Sequence, residues 1–258
     1  MGIWDLHQQH QARTLSAATF IFFGRLNDFL PRDRRNQTLL VSFRGRQTLK
    51  HMAESLGVPH PEIGRALVNG QERALDAITA DGDRVEFHPI PNGLPGEPRF
   101  ILDIHLGRLA AYLRMLGFDC LYQNDYDDEE LAELAQKERR ILLSRDRRLL
   151  MRKMISSGYC LRSLDPIEQL SEVIERFDLF KQIVPFHRCL RCNHPLVPVA
   201  KEDILDRLEP LTRLYFDEFQ ICPACRQIYW KGSHYEQMNR LIEEKLGGHR
   251  LHGPEKDC

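Results

Sequence analysis

Three sets of residues in this chain have types and spacings that can do chemistry. The first is two Cys-x-x-Cys pairs, Cys189 with Cys192 and Cys222 with Cys225, separated by 29 residues. Four thiolates so arranged make a closed tetrahedral zinc site, structural because no coordination position is left for water. His187, His194 and His234 stand close enough in sequence to substitute, but four cysteines already complete the shell. The second set is acidic. Asp103 closes the apolar run FILD, Asp146 follows ILLS by one residue, and Asp128 opens a helical pattern with Asp125 and Asp127 just before it. Carboxylates gathered at one place repel, and a hard divalent cation, Mg²⁺ or Mn²⁺, resolves that repulsion through oxygen ligands. The third set is basic: seven Lys or Arg residues lie in the fifteen from Arg139 to Lys153. Arg145, Arg147 and Arg148 surround Asp146, and Arg108 and Arg114 extend the same character, which suits phosphate contacts that position a substrate without reading its sequence.

Each set also has a plainer explanation. Asp128 and Asp146 stand where helix N-caps stand, and a run of cations is also what a solvated helix face looks like. Asp103 is harder to explain that way, since ending an apolar strand in an acid gains no obvious stability. In IYWKGSH, Tyr229, Trp230 and Lys231 suit base stacking and equally suit packing over the zinc knuckle. His234 is a candidate proton donor for the nuclease rim.

The bulk properties limit the choices. With 258 residues, 42% hydrophobic and 28% charged, the composition is that of a globular protein of one large or two to three small domains. A formal net charge of −1 gives no overall attraction to nucleic acid, so any such attraction is local. The apolar runs are too short for a membrane span, and no secretory pattern opens the sequence. The expectation is a cytoplasmic protein without membrane contact, whose paired cysteines bind metal instead of forming disulfides. Cys120 and Cys160 read as buried thiols, and Cys258 ends a polar tail.

The elements that position these residues fall into three groups. Residues 1–17 lack periodicity and are expected to be a flexible tail. From residue 18 to 92 the order is strand (ATFIFFGRL), strand (TLLVSF), helix (QTLKHMAESLG, stopped by Gly57), then strands around RALVNG and DRVEFHPI. In VNGQ and DGDRVEFHPI this region resembles the β-grasp, ubiquitin-like sulfur carriers. It departs from them in running into PNGLPGEPRF with no terminal Gly-Gly, so conjugation chemistry is disfavoured and a docking or recognition module is expected, with a protein partner of its own. Residues 93–98, rich in Pro and Gly, form a linker. Four β-α units follow in 99–182: RFILDI, FDCLYQ, RILLS and YCLRSL alternate with LGRLAAYLRMLG, DDEELAELAQKE, RDRRLLMRKMISSG and DPIEQLSEVIERF. Such alternation predicts a parallel sheet that binds ligands beyond the carboxyl ends of its strands. Residues 183–248 carry the cysteine pairs, with a short helix or excursion between them and a terminal helix, YEQMNRLIEEKL; residues 249–258 are a tail.

The segments FILDIHLGRLAAYLRMLGFD, DDEELAELAQKERRILLSRDRRLL and CPACRQIYWKGSH, in that order, resemble the Mut7-C RNase family. The resemblance implies a PIN-like nuclease fold followed by a zinc ribbon, with a ubiquitin-like domain ahead in some members. The expected fold is therefore α/β throughout: an N-terminal β-grasp domain, a central PIN-like parallel sheet and a C-terminal zinc ribbon. It further implies metal-dependent cleavage of RNA, with Asp103, Asp146 and one acid of the Asp125–Glu129 group as Mg²⁺ or Mn²⁺ ligands. Asp128 fits that third role best, with Asp127 one residue away; Asp165 is a weaker fourth candidate. Arg108, Arg145, Arg147, Arg148 and Lys231 are the expected RNA contacts. Two alternatives remain: a non-catalytic RNA-binding adaptor, bound to tRNA or ribosomes, in which the acids are caps, and a sulfur-carrier-like partner of a cofactor-synthesis enzyme.

Overall fold

The computed structural model describes residues 15–93 and 96–233, together with Tyr235, Glu236, Asn239, Arg240 and Glu244. The tail before Leu15, Leu94 and Pro95 of the linker, His234, most of the terminal helix and the tail after residue 248 lie outside the described residues. By contacts the described chain divides into two compact units. One holds residues up to Pro91 with Asp146–Cys160, the other Asn92–Arg145 with the residues from Leu161 onward.

The first unit is built on a five-stranded sheet of order β2-β1-β5-β3-β4, from β1 (Leu15–Phe22), β2 (Leu39–Arg44), β3 (Ile63–Val68), β4 (Gln71–Arg73) and β5 (Arg84–Pro89). β1 runs antiparallel to β2 and parallel to β5, the central pairing of a β-grasp. Alternation along β1 sends Ala18, Phe20 and Phe22 inward, where Phe22 stacks on Phe87 of β5 at 5.1 Å between ring centres. Helix α1 (Leu49–Ser55) buries Leu49, Met52 and Ala53; its Thr48 N-cap accepts from the His51 amide at 3.1 Å. Gly57 follows at φ +92° and ends it, as the sequence predicts. The VNGQ motif is the two-residue hairpin between β3 and β4, with Asn69 and Gly70 both at positive φ and Val68 paired with Gln71. β1 begins at Leu15, not at residue 18: Leu15, Ser16 and Ala17 pair with Arg44, Phe43 and Ser42, a backbone ladder that needs no strong side-chain pattern.

The second sheet has the order β7-β6-β8-β9, from β6 (Arg99–Leu102), β7 (Asp119–Leu121), β8 (Ile141–Ser144) and β9 (Gly158–Cys160). β6 is parallel to both β7 and β8, as the β-α alternation requires. Helix α2 (Gly107–Met115) buries Leu109, Ala110 and Leu113; α3 (Asp128–Lys137) buries Leu131, Ala132 and Ala135; α5 (Pro166–Phe177) buries Ile167, Leu170, Val173, Ile174 and Phe177. The helix expected across RDRRLLMRKMISSG is much shorter: α4 spans only Arg147–Leu150. Only Leu149, Leu150 and Ile155 supply buried apolar side chains there. Ser156, Ser157 and Gly158 are poor helix formers, so the chain turns after one helical turn.

The third sheet, order β10-β11-β12, is antiparallel, from β10 (Val197–Val199), β11 (Phe219–Ile221) and β12 (Ile228–Tyr229). The excursion between the cysteine pairs holds a 3-10 turn (Lys201–Arg207) and α6 (Pro210–Tyr215). Ile204, Leu208, Phe219, Ile221 and Ile228 form its core, with Phe216 and Trp230 packed against it. No helix among the described residues is long and apolar enough to cross a membrane.

Candidate metal centre and carboxylates

The four cysteine sulfurs all lie within 4.8 Å of one another, Cys189 Sγ 3.5 Å from Cys225 Sγ and Cys192 Sγ 3.4 Å from Cys222 Sγ. Zinc–sulfur bonds of about 2.3 Å put tetrahedral sulfurs roughly 3.8 Å apart, so the donor set fits zinc with small adjustments. The two pairs sit on matching turns. In each, the first cysteine's carbonyl accepts from the residue after the second cysteine, Asn193 or Arg226, at 2.9 Å. In each, the first cysteine's amide donates to the residue five positions on, His194 or Gln227, also at 2.9 Å. Asn193 and Arg226 both take positive φ, 68° and 62°. Burial opposes the Cys189 thiolate, but hydrogen bonds from the Tyr229 hydroxyl and the amides of Cys192 and Arg191 outweigh it and bring its pKa down to about 7. Tyr229 lies 3.1 Å from Cys189 Sγ, and its hydroxyl oxygen accepts from the Leu190 amide at 3.1 Å. Tyr229 and Trp230 therefore pack on the cysteine cluster and the ribbon core. Lys231 Nζ lies 5.9 Å from the Phe186 ring centre.

The first knuckle is fastened to the β6–β8 sheet. Arg114 is only 4% exposed, not part of a basic surface as its sequence neighbours suggest. Its guanidinium donates to the carbonyls of Cys120 and Leu190, both at 3.0 Å, of Arg191 at 3.2 Å and of Tyr122 at 3.4 Å. Asn193 accepts from the Cys120 amide at 3.0 Å and donates to Asp119 Oδ1 at 2.8 Å. Burial works against the Asp119 carboxylate, yet hydrogen bonds from Arg140 and Asn193 outweigh it and hold its carboxyl below the usual range. Arg114 and Asn193 carry no motif signal. A cation amid leucines in LAAYLRMLG is the one hint.

Of the expected carboxylate ligands, Asp103 and Asp128 belong to the second unit and Asp146 to the first. Asp103 sits directly after β6 and is 8% exposed. Its amide continues the ladder to the Leu143 carbonyl at 3.1 Å, and Ser144 Oγ donates to its Oδ2 at 2.6 Å. It makes no side-chain cap, although a 3-10 turn (Ile104–Leu106) follows it. The Gly107 of LGRLA is required by Tyr122: a Cβ there would lie 2.7 Å from the hydroxyl that donates to the Ile104 carbonyl at 2.9 Å. Asp128 is the first exposed residue of α3. The cap is its neighbour Asp127, in a capping box with Glu130. Asp146 caps α4, accepting from the Arg148 amide at 2.7 Å, and Asp165 caps α5. Among the described residues the four cysteines are the one set of three or more metal-ligating side chains close enough to share an ion.

The expected RNA contacts divide as well. Arg145 and Arg148 are exposed. Arg108 is exposed and reaches Tyr112 Oη at 3.4 Å. Arg147, in contrast, donates to the Phe29 carbonyl at 2.9 Å with its guanidinium 5.1 Å from the Phe29 ring centre, so its sequence context suggests more freedom than it has.

Residues 98–242 match the Mut7-C RNAse domain family and residues 15–94 the Mut7-C ubiquitin family. No curated protein matches the chain. The crystal structure of H. volcanii small archaeal modifier protein 1 is similar at 21% identity, over 29% of this chain and 97% of that one, with a TM-score of 0.24. With more than half of its sequence matched to the RNase domain, the chain belongs to the Mut7-C RNase family, and a ubiquitin-like domain of the Mut7-C type precedes that domain.

Proposed function

We propose that this protein is a metal-dependent ribonuclease that hydrolyses RNA phosphodiester bonds, with Asp103, Asp128 and Asp146 as ligands of a Mg²⁺ or Mn²⁺ ion. The observation that carries this reading, beside the family, is Asp103. A carboxylate 8% exposed at the carboxyl end of an inner strand, parallel to both its neighbours, is costly unless something uses it. Its one hydrogen-bond donor, Ser144, is neutral, and among the described residues no cation pairs with it. Mg²⁺ is commonly held by only one or two carboxylates, with water and substrate phosphate completing the shell, so a preformed three-carboxylate cage is not required. When bound, such an ion neutralises charge on the phosphate and acidifies a water molecule. Ser144 orients the Asp103 carboxylate, and Arg108, Arg145 and Arg148 supply phosphate contacts that position RNA. Lys231 extends those contacts at the ribbon.

The test is incubation with a tRNA pool in Mn²⁺ and in EDTA, beside the Asp103→Asn, Asp146→Asn double variant. Cleavage that needs Mn²⁺ and disappears in the variant is expected. Salt-sensitive binding by both proteins with cleavage by neither would move the assignment to the non-catalytic adaptor. The neighbouring acids separate by a different pair of measurements. Asp127→Ala, which removes the α3 cap, is expected to cost about 1 kcal/mol of stability in urea denaturation. Asp128→Asn is expected to stay within about 0.5 kcal/mol of the parent while lowering cleavage; the reverse pattern would transfer the ligand role to Asp127.

A further inference from the structure

Residues Asp146–Cys160 group with the ubiquitin-like sheet. The attachments fall at the start, middle and end of this arm. At the start, Arg147 Nη1 donates to the Phe29 carbonyl at 2.9 Å while its guanidinium covers the Phe29 ring. In the middle, the Ile155 carbonyl lies 2.7 Å from His60 Nε2, whose ring is fixed on the other side by Glu54 Oε1, 2.7 Å from Nδ1. At the end, the Cys160 amide donates to Glu62 Oε1 at 2.8 Å. His60 and Glu62 come from one short turn, His60–Glu62, and both address backbone groups of the arm. Glu62 is 1% exposed, and a carboxylate is buried that deeply only where partners meet it; the arm's backbone is one of them.

Ahead of β9 the arm has only short-range backbone bonds and three buried apolar side chains of its own. Its helix, α4, is four residues long, far below the length at which a helix persists alone. Asp146 is the cap of that single turn, so its position depends on what fixes the turn from outside. We propose that the ubiquitin-like module acts in cis: its partner is the arm 146–160 of the same chain, and by clamping that arm it sets the position of Asp146 and hence the rate of RNA cleavage. The clamp stands on these contacts alone; only its effect on rate rests on the nuclease reading above.

Amide hydrogen exchange on the full chain tests it, comparing the parent with a His60→Ala, Glu62→Ala variant and with Arg147→Ala. In the double variant the amides of Ile155 and Cys160 are expected to lose protection by at least about tenfold, with β1 and β5 unchanged. Arg147 is exposed, so Arg147→Ala serves where the double variant loosens the whole sheet; there the amides of Leu150 and Met151 should lose protection. Exchange of the arm at the parental rate in that variant, with the double variant parental or unfolded, overturns the clamp. Cleavage of RNA by the same proteins is expected to fall at least about tenfold in kcat for the double variant. Parental cleavage with a released arm overturns the regulatory role. A parent that cleaves nothing overturns the nuclease reading, and the exchange data still decide the clamp.

Discussion

Removal of zinc with a strong chelator is expected to unfold the β10–β12 ribbon while the ubiquitin-like sheet stays folded. The ribbon's strands are three, three and two residues long, and among the described residues its main cluster has five buried side chains, beside a smaller one around Cys189, Leu196 and Cys222. A unit of that size buries too little apolar surface to offset its conformational entropy. Four thiolates on one Zn²⁺ contribute about 10–16 kcal/mol in comparable zinc-finger peptides near neutral pH, more than such a core can supply. The ubiquitin-like sheet, in contrast, is closed by Phe20, Phe22, Phe87, Leu49 and Val85 and contains no cysteine ligand. Hydrogen exchange at Phe219, Ile221 and Ile228 would rise on chelation and recover with one equivalent of zinc. Cys222→Ser would abolish stoichiometric retention. A ribbon equally protected with and without metal would show that its apolar core suffices.

The second large effect is expected at Arg114. Arg114→Met preserves most of the apolar stem and removes a charged donor from the carbonyls of Cys120, Tyr122, Leu190 and Arg191. Each acceptor left unpaired in a buried place costs about 1–3 kcal/mol, and partial hydration keeps the sum below the simple total. A loss of about 3–5 kcal/mol in urea denaturation is expected. Arg114→Lys should recover only a fraction, since one ammonium cannot span four acceptors that a planar fork reaches. Because Leu190 and Arg191 lie between Cys189 and Cys192, Arg114→Met and metal removal should be less than additive. Additive losses would mean that the guanidinium braces the sheet independently of the knuckle.

Local chemistry made much of this protein legible before its fold. Cys-x-x-Cys spacing specifies a chelating turn within a few residues, so the four cysteines close enough to share a metal ion are legible in the sequence alone. The Asn-Gly turn in VNGQ, the Gly57 stop and the β-α alternation are likewise local or strictly periodic signals. Asp103 was marked by a local conflict, an acid ending an apolar strand. What sequence left open was decided by contacts between distant residues. Asp127 and Asp128 are both acids at a helix start, and only the hydrogen bonds show that Asp127 is the one that caps it. Arg114 and Arg147 look like two more members of a basic surface, but one is buried under four carbonyls and the other is spent on Phe29. Whether a cation meets solvent or a backbone carbonyl depends on which chain segment lies beside it, and residue type and local spacing carry no record of that. The same reason explains the arm 146–160. Its apolar residues are too few to specify a long helix, so its form follows from His60, Glu62 and Phe29, residues about ninety or more positions earlier in the chain.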